Sequence, residues 1–407
     1  MREKENKVLG NLYEWILCAF IIIAPINNAL NDLGIYAMTL YVSIAVLISG
    51  LACKLIGYHK GNLSQYAAII IAGALLFEMF WWRMEGKEVQ MSLIYILLIY
   101  CVFLTLPAEI NLKRIYCAFY VSTLVGALFS MYLGITQGGV TRTATSVDGS
   151  LAVIGMAIIL FAPEDFEVTS KYKLLKIMSF AACLIIAGFG MSRARIVLIA
   201  LALLVKLLFS GGTVLVSGRV NATVLLSIPF LLVLVLVIIR LYTVGRVVPA
   251  VEDRFVDGFE SAVRDREIDA GWNGFQSSWL RGRGWGELIY RHNAVYRIYY
   301  NHCMYVAILT RGGILLGIPM LISFLWLIYD ALRTKNHFVI VTLAMFFLLG
   351  YGNAGVFNYT ICSMFIPLIP CLKQQIREFN EKKLYQQRQM ADDLMQARAT
   401  GNGEETI

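Results

Sequence analysis

The sequence predicts an all-α polytopic membrane protein, and three observations carry that class. Hydrophobic residues make up 58% of the 407-residue chain and charged residues only 15%, a balance too apolar for a soluble multidomain protein. The apolar residues gather into about a dozen runs, most of them roughly 17 to 25 residues long, the length a helix needs to cross a bilayer. Between the ninth and tenth runs lies one extended polar segment, near 243–311.

The runs fall in order near 8–27, 35–56, 64–82, 91–108, 115–135, 149–163, 174–191, 195–209, 221–242, 312–333, 337–352 and 356–373, the sixth and eighth being short. The first lacks a small-x-small cleavage site after it, so it is read as the first span and not as a signal peptide. The expected organisation is spans one to nine in 1–242, an extracytoplasmic loop of short helices in 243–311, spans ten to twelve in 312–373 and a cytoplasmic tail in 374–407. That tail, from Lys373 onward, begins as a charged helix and ends in a polar stretch expected to be disordered. No internal repeat is evident.

Basic residues in short loops favour the cytoplasmic side. With Arg2, Lys4 and Lys7 inside, an even number of spans returns the C-terminus inside as well. The two basic residue types then separate: 13 of 14 lysines fall inside, whereas 14 of 21 arginines fall outside. Lysine is a general interfacial charge, but arginine presents a planar fork of donors that suits phosphate and stays charged when partly desolvated. An arginine-rich outer face therefore suggests a phosphate ligand. Pairing with the acids of the outer segment explains some of these arginines, but not those elsewhere.

Arg193 and Arg195 are the foremost of the latter. They stand in "GFGMSRARIVLIALALLV", where the seventh span ends and the eighth begins with almost no loop. Charges so placed need a partner, a water-filled cavity or headgroups to which they can snorkel. Arg142 stands in a Gly, Thr and Ser-rich connection, "GGVTRTATSVDGS". Within the long segment, "DRFVDGFESAVRDREIDAGWNGFQSSWLRGRGW" spaces aromatic residues among charges, as short amphipathic helices on a membrane do. Its Gly282, Gly284 and Gly286 let backbone approach a ligand closely, a weak signal alone.

This arrangement resembles the O-antigen ligase and polymerase superfamily. "MSRARIVLIALALL" is similar to that family's mid-chain element, and "RDREIDAGWNGFQSSWLRGRGWGE" to its loop element without the usual proline. "NHCMYVAILTRGGILLG" is similar to its histidine element, with His302, Gly313 and Gly317, although Cys303 stands where Asn, Ser or Gln is usual. "TRTATSVDGSLAVIG" faintly resembles the connection after the fifth span. The resemblance covers about residues 120–335 and lies in order and topology more than in any single motif.

The resemblance implies a GT-C-like membrane glycosyltransferase of the bacterial inner (cytoplasmic) membrane. It would move a glycan from a polyprenyl diphosphate to a glycan or lipid-core hydroxyl on the outer face. Charge grows on the diphosphate as the sugar–oxygen bond breaks, so placed guanidinium groups stabilise the transition state over the ground state. That role falls to Arg193 and one loop arginine, for which Arg266 is taken. His302 is the base that accepts the acceptor hydroxyl's proton; Asp265, Glu267 or Asp269 stands next in line. Arg142, Arg195, Arg264, Arg281, Arg283, Gly284, Gly286 and His292 are expected to bind substrate. His292, in "RHNAVY", is the lesser alternative to His302, and either histidine is also readable as an ordinary interfacial residue. Tyrosines such as Tyr296 and Tyr300 fit an interfacial belt.

No Asp-x-Asp motif is present, so neither metal nor cofactor is expected. The eight cysteines lie almost all in predicted spans and suggest no disulfide or metal framework. Glu14 and Glu78 fall near span ends, where solvation or pairing is the expected fate. The expected partners are the lipid-linked donor, the acceptor and membrane lipids, with no nucleic acid. Polymerase is preferred narrowly over ligase, with protein O-oligosaccharyltransferase third. A transporter or flippase of lipid-linked glycan is the alternative of another class, disfavoured because the charges gather on one face in place of repeated halves.

Overall fold

The computed structural model describes residues 2–32, 34, 35, 38–55, parts of 71–84, 110–136, 147, 149–190, 193–217, 262–284, 290, 291, 297, 298, 303–352 and 365–401. The predicted runs near 91–108 and 221–242 lie outside them, and the runs near 64–82 and 356–373 are described only in part.

The chain is almost entirely helical. In order come α1 (Arg2–Ile23), a 3-10 turn (Ala24–Ile26), α2 (Asn27–Asp32), α3 (Met38–Leu55), α4 (Leu112–Thr136), α5 (Ser150–Phe161), α6 (Ser170–Gly190) and α7 (Arg193–Ser217). Then follow α8 (Ala262–Ser277), a ladder of β1 (Tyr290–Arg291) and β2 (Arg297–Ile298), α9 (Met304–Gly312), a π turn (Gly313–Gly317), α10 (Ile318–Thr334), α11 (His337–Gly352) and α12 (Phe365–Gly401). The ladder is antiparallel, pairing Tyr290 with Ile298 and Arg291 with Arg297. Among the described residues, Val8–Ile26, Leu112–Tyr132 and Met304–Thr334 are long and apolar enough to cross a membrane. The chain is membrane-associated on that ground, and helix is the form that satisfies every backbone group in hydrocarbon.

Local sequence sets the helix ends. The Oδ1 atoms of Asn111 and Asn336 accept the backbone N–H groups of Arg114 (3.2 Å) and Val339 (3.1 Å), capping α4 and α11. Ala162 is extended (φ −61°, ψ 134°) before Pro163, so α5 stops there. Lys335 takes the left-handed conformation (φ 56°) that closes α10, and Asn336 N–H donates to Ala331 O (3.1 Å). The tail differs from expectation: α12 continues as helix to Gly401.

The core is built around α5. Its sequence SLAVIGMAIILF is apolar on every side, and Ser150 through Leu160 are all buried, as a helix with no polar face must be. Glycines set the crossings. A Cβ at Gly155 would lie 2.7 Å from Thr123 Cγ2 and 2.8 Å from Cys183 Sγ, and one at Gly126 would lie 2.9 Å from Leu151 Cδ2. Such small residues let helix backbones approach where lipid supplies no hydrophobic drive.

Contacts also fix direction. The pairs Thr123/Gly155 and Gly126/Leu151 make α4 and α5 antiparallel. Ser179 Oγ donates to Tyr120 O (3.1 Å) and Gly126 meets Ile186, so α6 runs parallel to α4. Glu14 binds Arg114, and Ser122 Oγ donates to Ile21 O (3.0 Å), so α1 does too. Arg195 beside Gly149 and Lys206 over the Phe161 ring (5.5 Å) make α7 parallel to α5. Helix α11 starts near Tyr116 through Phe338 and ends where Gly350 meets Met304.

The bundle therefore has two chemically distinct ends. One gathers Lys113, Lys176, Lys206, Lys335 and the start of the tail. Here Lys176 Nζ binds Glu164 Oε1 (2.5 Å) and Lys113 Nζ donates to Glu167 O (3.0 Å). Glu14 is paired, as its sequence position suggested, with Arg114 Nη1 (2.6 Å), whose guanidinium also lies 5.0 Å over Trp15. Glu78 lies outside the described residues. The other end gathers Arg195, the start of α5, the end of α11 and the start of α9.

Candidate functional site

At the arginine end, the Arg195 guanidinium meets the amino end of a buried helix. Gly149 caps α5 without a side-chain hydrogen bond, and no acid stands in the first turn. The Arg195 guanidinium is packed against this point. A Cβ at Gly149 would lie 2.5 Å from its Nη1 and 2.9 Å from its Cδ, so a larger residue there would displace the guanidinium. The amino end of a helix already carries partial positive charge and open N–H groups. A guanidinium set there adds to the same sign, an arrangement that attracts an anion such as phosphate.

The second part of this end is a clasp between the glycine-arginine loop and the start of the tenth predicted span. Helix α8 packs on α9, and Thr310 Oγ1 donates to Gly271 O (2.7 Å). Beyond α8 the chain turns through Gly282 (φ 77°) and Gly284 (φ 79°). Arg283 N–H donates to Thr310 O (2.8 Å), Gly284 N–H to Arg311 O (3.1 Å), Ile314 N–H to Trp279 O (2.8 Å) and Leu315 N–H to Leu280 O (3.0 Å). Arg311, 2% exposed, returns its Nη1 to Gly284 O (2.7 Å). A Cβ at Gly282 would come 2.4 Å from Arg311 O and 2.5 Å from Gly313 N. The close backbone approach that these glycines permit is thus to the chain itself. Arg311 stands at the end of the polar segment 243–311, and its burial depends on this long-range clasp, which leaves no local signal.

The clasp sits on a corner. Gly313 adopts φ 59° and ψ −157°, and a Cβ at Gly317 would touch Ile308 O at 3.0 Å. Residues nine apart in a straight helix are about 13 Å apart, so α9 and α10 meet at a sharp angle. The break falls at the boundary between loop and span that hydropathy places near 311 and 312.

The remaining candidate residues fall as follows. Arg266 is exposed on α8, Glu267 beside it is buried (2% exposed), and Asp269 is exposed. Arg281 is exposed, with its guanidinium 5.5 Å over the Trp81 ring. Arg283 is half-buried, its Cδ and Nη1 against Gly274, and Gly284 is buried. Arg193 opens α7 and Arg264 lies in α8; the side chains of both are outside the described residues, as is that of Asp265. Arg142, Gly286, His292 and His302 lie outside the described residues altogether. Among the described residues no group of three or more His, Cys, Asp or Glu is placed to hold a metal ion, and Cys18, Cys53, Cys117, Cys183, Cys303 and Cys371 are free thiols.

No protein-family model matches the chain, and no characterised protein is similar to it in sequence.

Proposed function

We propose that the chain transfers a glycan from a polyprenyl diphosphate to a hydroxyl acceptor, polymerising repeat units of a bacterial surface polysaccharide. On this reading it spans the inner membrane about twelve times, with both termini in the cytoplasm and the arginine end outside. The observation that carries the reading is the Arg195 guanidinium packed on Gly149 at the amino end of α5. The departing diphosphate gains negative charge as the sugar–oxygen bond breaks. Groups aimed at that charge from a fixed position stabilise the transition state more than the bound substrate.

The division of labour follows. Arg195, the first N–H groups of α5, Arg142 and Arg193 hold the diphosphate. Arg266, with Arg264, Arg281 and Arg283, approaches from the clasped loop, where Gly284 and Gly286 shape the chain. His302 directly precedes Cys303, at which the described chain resumes at this end. Its imidazole takes the acceptor proton, with His292 or buried Glu267 as the substitute base. Transfer to lipid A core, the ligase reaction, needs the same groups. A transporter or flippase of lipid-linked glycan is the alternative of another class; it would call for a helix broken near mid-membrane, whereas the corner at Gly313 falls at the boundary between loop and span.

The test is the length distribution of surface polysaccharide in cells deleted for this chain and complemented with wild type, Arg195→Ala, Arg193→Ala or His302→Ala. Polymerase activity predicts single repeat units on the final acceptor after deletion and no long chains from the variants, each variant losing roughly 100-fold or more in rate. Long chains stranded on the polyprenyl lipid would identify a ligase, and repeat units accumulating on the cytoplasmic leaflet a flippase. Normal glycan from all three variants would overturn the assignment of the site.

A further inference from the structure

A cleft of about 480 Å³ opens at the lysine end, between α1, the start of α4 and α12. It is at the opposite end of the bundle from Arg195 and has no part in the transfer proposed above. Ile110, Leu112 and Pro370 give it an apolar floor, and Asn111 and Gln374 give it amide walls. Its charged groups are Glu14, Arg377 and Glu378.

The cleft lies where the sequence of its helices changes from polar to apolar. Glu14 lies in the second turn of Val8–Ile26, Asn111 directly precedes Leu112–Tyr132, and α12 changes from apolar to charged at Lys373. Glu14 is anchored: Oε1 accepts Asn111 N–H (3.1 Å) and Oε2 accepts Arg114 Nη1 (2.6 Å). Glu378 Oε1 accepts from Gln374 Nε2 (3.2 Å). Each carboxylate oxygen has two lone pairs, so both acids have capacity for another donor, and Arg377 brings a guanidinium fork. Two carboxylates and one guanidinium thus line one cleft, and Arg114, paired with Glu14, balances the local charge. A simple anion placed here meets the carboxylates and a simple cation meets the guanidinium. A ligand carrying both charges a few bonds apart satisfies all three.

We propose that this cleft binds the head group of a zwitterionic phospholipid bearing a primary ammonium. The phosphate lies on Arg377, the ammonium donates to Glu378 and Glu14, and the acyl chains pass over Leu112 and Pro370 into the bilayer. A quaternary ammonium has no N–H to give, so the site selects ethanolamine over choline. A glycerol head group offers no cation at all.

The experiment is a lipid titration of the full-length chain in detergent, followed by native mass spectrometry, with phosphatidylethanolamine, phosphatidylcholine, phosphatidylglycerol and inorganic phosphate as separate probes. One saturable phosphatidylethanolamine site is expected, roughly tenfold tighter than for the other lipids because the charge-assisted hydrogen bonds depend on N–H donors. Glu378→Gln and Arg377→Ala should each weaken it roughly tenfold. Leu384→Ala, on the exposed part of α12, should leave it unchanged. Equal binding of the ethanolamine and choline lipids, tighter binding of phosphatidylglycerol or phosphate, or unaltered binding in both charge variants would overturn the proposal. The comparison of lipids on the unaltered chain decides the matter even where a variant fails to fold. None of these readouts involves glycan, so the proposal stands or falls apart from the transferase reading.

Discussion

Gly282 and Gly34 share nearly the same left-handed backbone, φ 77° and φ 80°, but not the same surroundings. Nothing lies within 4 Å of a Cβ at Gly34, whereas one at Gly282 strikes Arg311 O and Gly313 N. Gly34→Ala should therefore cost only the conformational strain, about 1–2 kcal/mol. Gly282→Ala should cost more, about 3 kcal/mol or above, because backbone on both sides must move. Thermal unfolding of the two variants in detergent reads the difference; equal losses would show that the clasp is not rigid. Arg195 permits a comparable contrast in chemistry. Arg195→Lys keeps the charge beside Gly149 but loses the planar fork, so glycan output should fall roughly tenfold, less than for Arg195→Ala. The arginines were legible as a group because they stand at apolar boundaries. Gly149 was not, since what it meets is a guanidinium on another helix.

Among the elements, α5 is buried along Ser150 to Leu160. Gly155→Ala places a methyl group 2.7 Å from Thr123 and 2.8 Å from Cys183, and overpacking of this kind costs about 1–3 kcal/mol. Gly188→Ala in α6 meets nothing within 4 Å and should be neutral or stabilise by about 0.5–1 kcal/mol through helix propensity. Unfolding of both variants under identical detergent conditions checks the ordering, and a destabilised Gly188→Ala beside a silent Gly155→Ala would refute the packing described. Hydropathy predicted helices at all the long described apolar runs, because apolar length is a local property. It did not predict the corner between α9 and α10. That corner depends on Gly313 taking a conformation stabilised by hydrogen bonds from the distant Trp279–Gly284 strip.

At the scale of the whole molecule, the lysines Lys113, Lys176 and Lys206 share one end of the bundle with Arg114 and Arg377, and Arg195 and Arg311 stand at the other. Contacts place Gly34, between α2 and α3, at the arginine end, and Lys335 and the α12 tail at the other. Reporter fusions at residue 34 and at the C-terminus should therefore report opposite sides of the membrane, while insertions at 335 and at the C-terminus report the same side. A shared side for 34 and the C-terminus would contradict the helix directions. By itself, the sequence determined the membrane class and the apolar helices, because the bilayer acts on each segment in turn through length and hydropathy. Only the tertiary structure decided that Arg195 meets the amino end of α5, that Arg311 is buried under the glycine-arginine loop, and that a charged cleft forms where α12 leaves the apolar layer. Each of these requires two or three segments far apart in the chain to pack at one crossing, and that choice is made by the shapes of the packed side chains, which no single segment contains.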